Sequence, residues 1–272
     1  MKMTLLSAVV LLLLPAVCRA VPPSSSAAAG VNQTIAHRGA SSERPENTLA
    51  ALRRAIRVGA TATEVDVRTS ADRVLVLLHD DTLDRTTSGN GPISAVPLKQ
   101  LQQLDAGSWF DSRYRNQAIP TLREALAVCR GRIDILLDLK GTGEEYVNKV
   151  MGEVEEYGDP GRTIIGVRSV EQARMFRSRL PQARQLGLIP DTDAIEPFVE
   201  AGVETIRLWP RWLNDTTLVK RVEDAGAQLH LNGTDGSEEE VQQLLEHNPA
   251  SLSSDDPRRL VNTLRFLVRH PE

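Results

Sequence analysis

The sequence predicts a closed (β/α)8 barrel, distorted by an antiparallel hairpin after its second strand and by a long inserted loop region. Three observations predict it. Short β-rich runs alternate with amphipathic helical stretches along most of the 272-residue chain, the pattern of a parallel sheet. One pair of runs breaks the pattern. Only Thr69–Val74 separates the second from the third, whereas a parallel crossover needs a dozen residues or more, so these two form a hairpin. Setting the third run aside leaves eight, the count of a closed barrel, and such barrels reach this length as one domain. The composition, 41% hydrophobic and 25% charged, suits a soluble globular domain. With only 4% aromatic residues, the core rests on Leu, Val, Ile and Ala.

Residues 1–20 read as a signal peptide. Lys2 supplies the positive start, an apolar run follows from Leu5 to Val17, and Cys18-Arg19-Ala20 has the small-x-small form of a cleavage site. The run is short for a membrane span, which takes about 20 apolar residues, so no stable span is expected after cleavage and the protein is expected to be exported. Residues 21–31 include PPSSSAAAG and read as a flexible linker. The folded domain is then 32–272.

The strands are expected at Gln33–Arg38, Ala62–Arg68, Val74–His79, Arg132–Leu139, Thr163–Arg168, Ala183–Ile189, Thr205–Trp209, Ala227–Asn232 and Ala250–Ser253. Asn47 reads as the N-cap of a helix with apolar face Leu49, Leu52, Ala55 and Ile56, stopped by Gly59. Further helices are expected at Leu122–Cys129, Glu144–Tyr157, Val170–Arg179, Thr216–Ala225 and Glu238–His247. In the hairpin, pairing Thr69 with Val74 would set Glu64 opposite His79. The segment Asp80–Pro120, rich in Gly and Pro and with one short helix at Leu98–Leu104, reads as an excursion over the barrel face where substrate-shaping loops lie.

Cleavage after Ala20 removes Lys2 and Arg19 and no acid, leaving 30 basic residues against 36 acidic ones, a formal charge of −6. Such a chain exerts no long-range pull on nucleic acid or anionic membranes, and any phosphate must be held locally. Only Cys129 remains, so no intrachain disulfide is available.

The chemistry gathers at strand ends, where barrel enzymes carry their catalytic groups. His37-Arg38-Gly39 ends the first strand and offers a proton-transfer group, a planar fork for phosphate oxygens and a sharp turn. Glu64-x-Asp66 puts two carboxylates on one face of the second strand. Two such acids repel unless a cation is shared, and hard oxygen donors favour Mg²⁺ or Ca²⁺. His79-Asp80 adds a second imidazole. Asp138-x-Lys140 ends an almost wholly apolar strand. Either a metal and a phosphate satisfy the two charges, or they pair with each other or with neighbours.

These motifs resemble the glycerophosphodiester phosphodiesterase family. The matching text is Ala36-His37-Arg38-Gly39, Pro45-Glu46-Asn47-Thr48, Glu64-Val65-Asp66-Val67, His79-Asp80, Asp84-Arg85-Thr86-Thr87, Leu104-Asp105-Ala106-Gly107-Ser108-Trp109 and Ile119-Pro120-Thr121-Leu122, with Ser254-Asp255-Asp256-Pro257 near the end. The resemblance implies a distorted TIM barrel hydrolysing glycerophosphodiesters, small-molecule substrates, to sn-glycerol 3-phosphate and an alcohol. It implies His37 and His79 as the acid/base pair, and Glu64, Asp66 and Asp138 as ligands of a divalent cation, Ca²⁺ or Mg²⁺. Arg38 and Lys140 would be binders of the phosphoryl oxygens. Asp138 departs from the family's usual Glu, and Leu229-His230-Leu231-Asn232 stands where a Trp-Thr-x-Asn element is usual. Trp209, or Trp109 in the excursion, would then supply the aromatic wall. His230 ends a strand and is a further candidate to face the pocket. Two alternatives keep the fold: a phospholipase D-like lyase forming a cyclic phosphate with the same histidines, and a non-catalytic binding barrel.

Overall fold

The computed structural model describes residues 25–270, so the expected signal peptide lies outside the described residues. The strands are β1 (Gln33–Ala36), β2 (Ala62–Thr69), β3 (Leu75–Leu77), β4 (Asp134–Leu139), β5 (Thr163–Val167), β6 (Arg184–Gly187), β7 (Thr205–Leu208), β8 (Gln228–Thr234) and β9 (Ser251–Ser254). Eight of them pair in parallel in the order β1-β9-β8-β7-β6-β5-β4-β2, and β1 pairs with β2 to close the barrel. Strand β3 runs antiparallel to the far end of β2.

Period-two alternation divides each strand between two environments. Ile35, Ala62, Leu136, Ile164, Leu186 and Leu188 form an apolar cluster inside the barrel. Val65, Val67, Ile135, Leu137, Leu139, Ile206 and Leu208 belong to the larger core between strands and helices, which holds the fully buried Phe176. The excursion Asp80–Pro120 has a third core of Leu83, Ile93, Leu101, Ala106 and Ile119 packed on Val76 and Leu78. That small core keeps a long insert ordered over the strand ends. Its helix is shorter than expected, Leu98–Leu101.

The hairpin register differs by one residue from the expected one. Thr69 pairs with Leu75, Arg68 with Val76 and Val67 with Leu77. The turn is wider because Ser70 N–H closes onto the Val74 carbonyl, with Arg73 in the left-handed region at φ 61°. Glu64 and His79 are therefore not partners. The chain leaves the ladder at Leu78, whose N–H donates to the Asp66 carbonyl.

Two other expectations are corrected. The helix Leu49–Val58 is capped by Thr48, whose side chain accepts from Ala51 N–H. Asn47 instead adopts φ 56°, a conformation Asn tolerates, and uses its side chain elsewhere. Ser25–Gly30, expected as linker, form a helical turn. Alanine is the best helix former, and Ala28 is buried in the main core, where Ala27 and Val31 pack against it. Among the described residues, no helix is long and apolar enough to cross a membrane.

Gly39 follows β1 at φ 81°, and a Cβ there would lie 2.5 Å from the Ala51 Cβ. Gly39→Ala combines left-handed strain with a backbone clash. It is expected to cost about 2 kcal/mol or more, read as a lowered urea midpoint with an unchanged slope.

Candidate active site

Strands β2 and β4 bring three carboxylates together. Glu64 and Asp66 point inward from β2 by strand alternation, and Asp138 sits beside Asp66 in the β2–β4 register. One oxygen from each lies within 4.8 Å of the others. All three are buried, at 6%, 1% and 9% exposure. Burial and the neighbouring charge of Asp66 push the Glu64 carboxyl well above the usual carboxylate range. Burial also acts to raise Asp66, but the Lys140 charge and hydrogen bonds from Lys140 and Asn47 outweigh it and hold Asp66 below its ordinary value.

The surrounding loops answer this negative charge group by group. Arg38 takes φ 54°, and its backbone N–H donates to Glu64 Oε2 at 2.7 Å. Asn47 grips Asp66 twice: its Nδ2 donates to Oδ2 at 2.8 Å and its Oδ1 accepts from the Asp66 N–H at 3.1 Å. Glu46 accepts from the Arg38 guanidinium at 3.0 Å and is clamped by Arg85 at 2.8 Å. Lys140 Nζ bridges Asp66 at 2.8 Å and Asp138 at 2.6 Å. Arg168, one residue beyond β5, donates to both Asp138 oxygens at 2.6 and 2.9 Å.

The two imidazoles are held alike. His37 Nδ1 lies 2.8 Å from Asp255 Oδ1, and His79 Nδ1 lies 2.7 Å from Asp80 Oδ1. Each arrangement leaves Nε2 free for proton transfer. Burial acts to lower the His37 pKa, but the Asp255 hydrogen bond and the Glu64 and Asp255 charges overcome it and raise the value above 6.5. His79 is close enough to Asp66 to stabilise that carboxylate.

A cavity links the acids to the apolar interior. His37, Glu64, Asp138, Arg207, His230, Asn232 and Leu136 are among its lining residues. His230, paired with Ser251 at 2.8 Å, is pushed down to about 3 by burial and by Arg207 and is neutral. Trp209 is not among the lining residues. Its ring carries the Arg207 guanidinium at 4.0 Å from the centroid. Trp109 is 40% exposed and donates to the Ala106 carbonyl.

Comparison with known proteins bears on what this arrangement is for. A model of the glycerophosphoryl diester phosphodiesterase family matches residues 37–259. The glycerophosphodiester phosphodiesterase of Caldanaerobacter subterraneus is 31% identical over 85% of this chain and 97% of that protein. This chain belongs to the glycerophosphoryl diester phosphodiesterase family. A putative glycerophosphodiester phosphodiesterase of Bacillus subtilis is 40% identical over 53% of this chain, which spans 58% of that protein. Among solved structures, the Agrobacterium tumefaciens glycerophosphodiester phosphodiesterase is 29% identical with a TM-score of 0.74, covering 85% of this chain and 99% of that one. An Oleispira antarctica phosphodiesterase, solved with its product sn-glycerol 3-phosphate, is 27% identical with a TM-score of 0.77, covering 88% and 99%.

For a phosphoric diester hydrolase of this family, the three oxygen donors fit a hard divalent cation: they are buried, close and mutually repelling. The structure brings His37, Arg38, Glu64, Asp66, His79, Asp138 and Lys140 to one barrel mouth. Trp209 does not line the cavity and lies against Arg207, which does. Sequence reasoning missed Arg168 and Arg207. Both follow inward-facing strand positions by a step of two, Arg168 from Gly166 and Arg207 from Thr205, and that parity was the available signal.

The His37–Asp255 pair carries a pH signature. A raised His37 contributes stability that is complete below 6.5 and lost as pH rises through its folded value. A lowered Asp255 contributes stability present above 3.8 and lost as pH falls through its folded value. The stability difference between wild type and Asp255→Asn should therefore be largest between 3.8 and 6.5 and shrink on either side. Urea denaturation across pH checks this, and an NMR titration should show the His37 midpoint falling in the variant.

Proposed function

We propose that this protein is a metal-dependent hydrolase of glycerophosphodiesters, releasing sn-glycerol 3-phosphate and an alcohol. The observation that carries the reading is the convergence of three buried carboxylates within 4.8 Å, with His37 and His79 both close enough to act on that cluster electrostatically. A Mg²⁺ or Ca²⁺ ion held by Glu64, Asp66 and Asp138 would polarise the phosphoryl group and stabilise charge on its oxygens. Arg38 and Lys140 bind the phosphoryl oxygens and fix the diester in line for attack. Asp138 is also held by Arg168 and Lys140, so a bound cation would share its oxygens with those side chains.

Proton transfer falls to the imidazoles. His79 takes the proton of the attacking hydroxyl at Nε2, and the phosphorus–oxygen bond to the alcohol breaks. His37, whose affinity for a proton the Asp255 hydrogen bond and the Glu64 and Asp255 charges raise against burial, delivers a proton to the departing oxygen. The nucleophile is water, or the substrate's own glycerol hydroxyl with water entering in a second step. The N-terminal apolar run and its cleavage motif support export, which N-terminal sequencing of the mature protein tests by a start at Val21.

Turnover of glycerophosphocholine with Mg²⁺ or Ca²⁺ should be abolished by EDTA and restored by added metal. His37→Ala and His79→Ala should each lower kcat by about 10²–10⁴-fold. Undiminished turnover after complete chelation would remove the metal from the reading. Phosphorus NMR should show sn-glycerol 3-phosphate as the final product; a persistent cyclic phosphodiester would replace hydrolysis with the lyase reaction.

A further inference from the structure

Among the described residues, Arg207 is the cationic side chain at this mouth that no carboxylate engages. Lys140 and Arg168 engage carboxylates, and Arg38 engages Glu46. Arg207 forms no hydrogen bond or ion pair with any described residue, and its Nε is fully buried without an acceptor. It lines the cavity that His37, Glu64 and Asp138 also line. An N–H withdrawn from water without an acceptor is costly, and such groups normally find one. No hydrogen bond joins it to Asp138, whose oxygens accept from Arg168 and Lys140, or to Glu64, whose Oε2 accepts from the Arg38 N–H.

The neighbours hold Arg207 in place without satisfying it. In the β7–β8 register it stands opposite His230, which is neutral and bonded to Ser251. On its other side the guanidinium lies over the Trp209 ring at 4.0 Å, and Arg211 sits 5.5 Å from the same ring. Stacking on an aromatic face restricts a guanidinium while leaving its in-plane N–H groups free to donate. A planar fork held this way suits the oxygens of a phosphate.

Resting on the phosphodiesterase reading, we infer that Arg207 is a third phosphate-binding side chain of the substrate site and that Trp209 is the residue that positions it. Trp209 thus acts on substrate through Arg207. The ligand class is a phosphate ester whose anionic oxygens reach the cavity.

The test compares wild type, Arg207→Met, Arg207→Lys and Trp209→Leu in saturating Mg²⁺. Inorganic phosphate and sn-glycerol 3-phosphate serve as probes, with affinity read by calorimetry. Arg207→Met should weaken both probes about tenfold or more. It should raise the KM for glycerophosphocholine to match and leave the ligand-free melting temperature nearly unchanged, since the side chain removed makes no hydrogen bond or ion pair and leaves a buried N–H unsatisfied. Arg207→Lys should recover part of the affinity. Trp209→Leu should weaken both probes severalfold, and the double variant should be no weaker than Arg207→Met alone.

Unchanged phosphate affinity in Arg207→Met would overturn the assignment. So would a loss confined to sn-glycerol 3-phosphate, because Arg207 would then be reading glycerol. A wild-type protein that binds neither probe would also overturn it. Absent turnover of glycerophosphocholine together with Arg207-dependent phosphate binding would refute the hydrolase reading and uphold this subsite.

Discussion

The repulsion among Glu64, Asp66 and Asp138 is the constraint around which this barrel mouth is built. Three buried carboxylates within 4.8 Å would be prohibitive if left alone, because burial and like charge both oppose ionisation. Each is instead met by a donor fixed in geometry. A left-handed Arg38 turns its N–H to Glu64, Asn47 grips Asp66 at two atoms, and Lys140 and Arg168 hold Asp138. The left-handed backbone at Arg38 and Asn47 is tolerated because each of these residues makes a buried hydrogen bond to an acid of the cluster.

That constraint explains why the loops after β1 and β3 are as elaborate as they are. The Pro45–Thr48 run does three tasks at consecutive residues. Glu46 links Arg38 to Arg85, Asn47 fixes Asp66, and Thr48 caps the following helix while donating to the Pro45 carbonyl. Arg85 also binds Asp80, the residue that orients His79. The two histidine loops, distant in sequence, are thus joined by one chain of hydrogen bonds and ion pairs running His79–Asp80–Arg85–Glu46–Arg38. The small core of the excursion, built on Leu83, Ile93 and Leu101, keeps Arg85 at its station.

Much of this was legible before any coordinates. Alternation of β-rich and helical runs carried the barrel, and the short gap at Thr69–Val74 carried the hairpin. Placement at strand ends carried the acids and imidazoles. What escaped was decided by single-residue geometry. The hairpin register turned on one left-handed residue, Arg73, which no composition rule encodes. Asn47 has the chemistry of a good cap, but the buried Asp66 competes for the same side chain, and Thr48 caps in its place. The Ser25–Gly30 turn depended on a tertiary contact for Ala28 that polar neighbours disguised. Arg168 and Arg207 sit at inward positions of barrel strands, where a charged residue is itself a signal.

The charge balance of the mouth carries the last step. Glu46 and Asp80 are committed to Arg85, and Asp255 to His37. Glu64, Asp66 and Asp138 then face Lys140, Arg168 and Arg207, with Arg38 shared between Glu46 and Asp66. Over the whole mouth the acids and the cationic side chains, His37 counted when protonated, come out even. The protein's own side chains therefore already offset the acids before any divalent cation is counted. A site built only to capture a cation would not surround its ligands with that much positive charge, because each cation weakens the next. Cationic side chains already seated on the acids suit the proposed pairing of a cation with an anionic phosphate, in which each would balance the charge of the other.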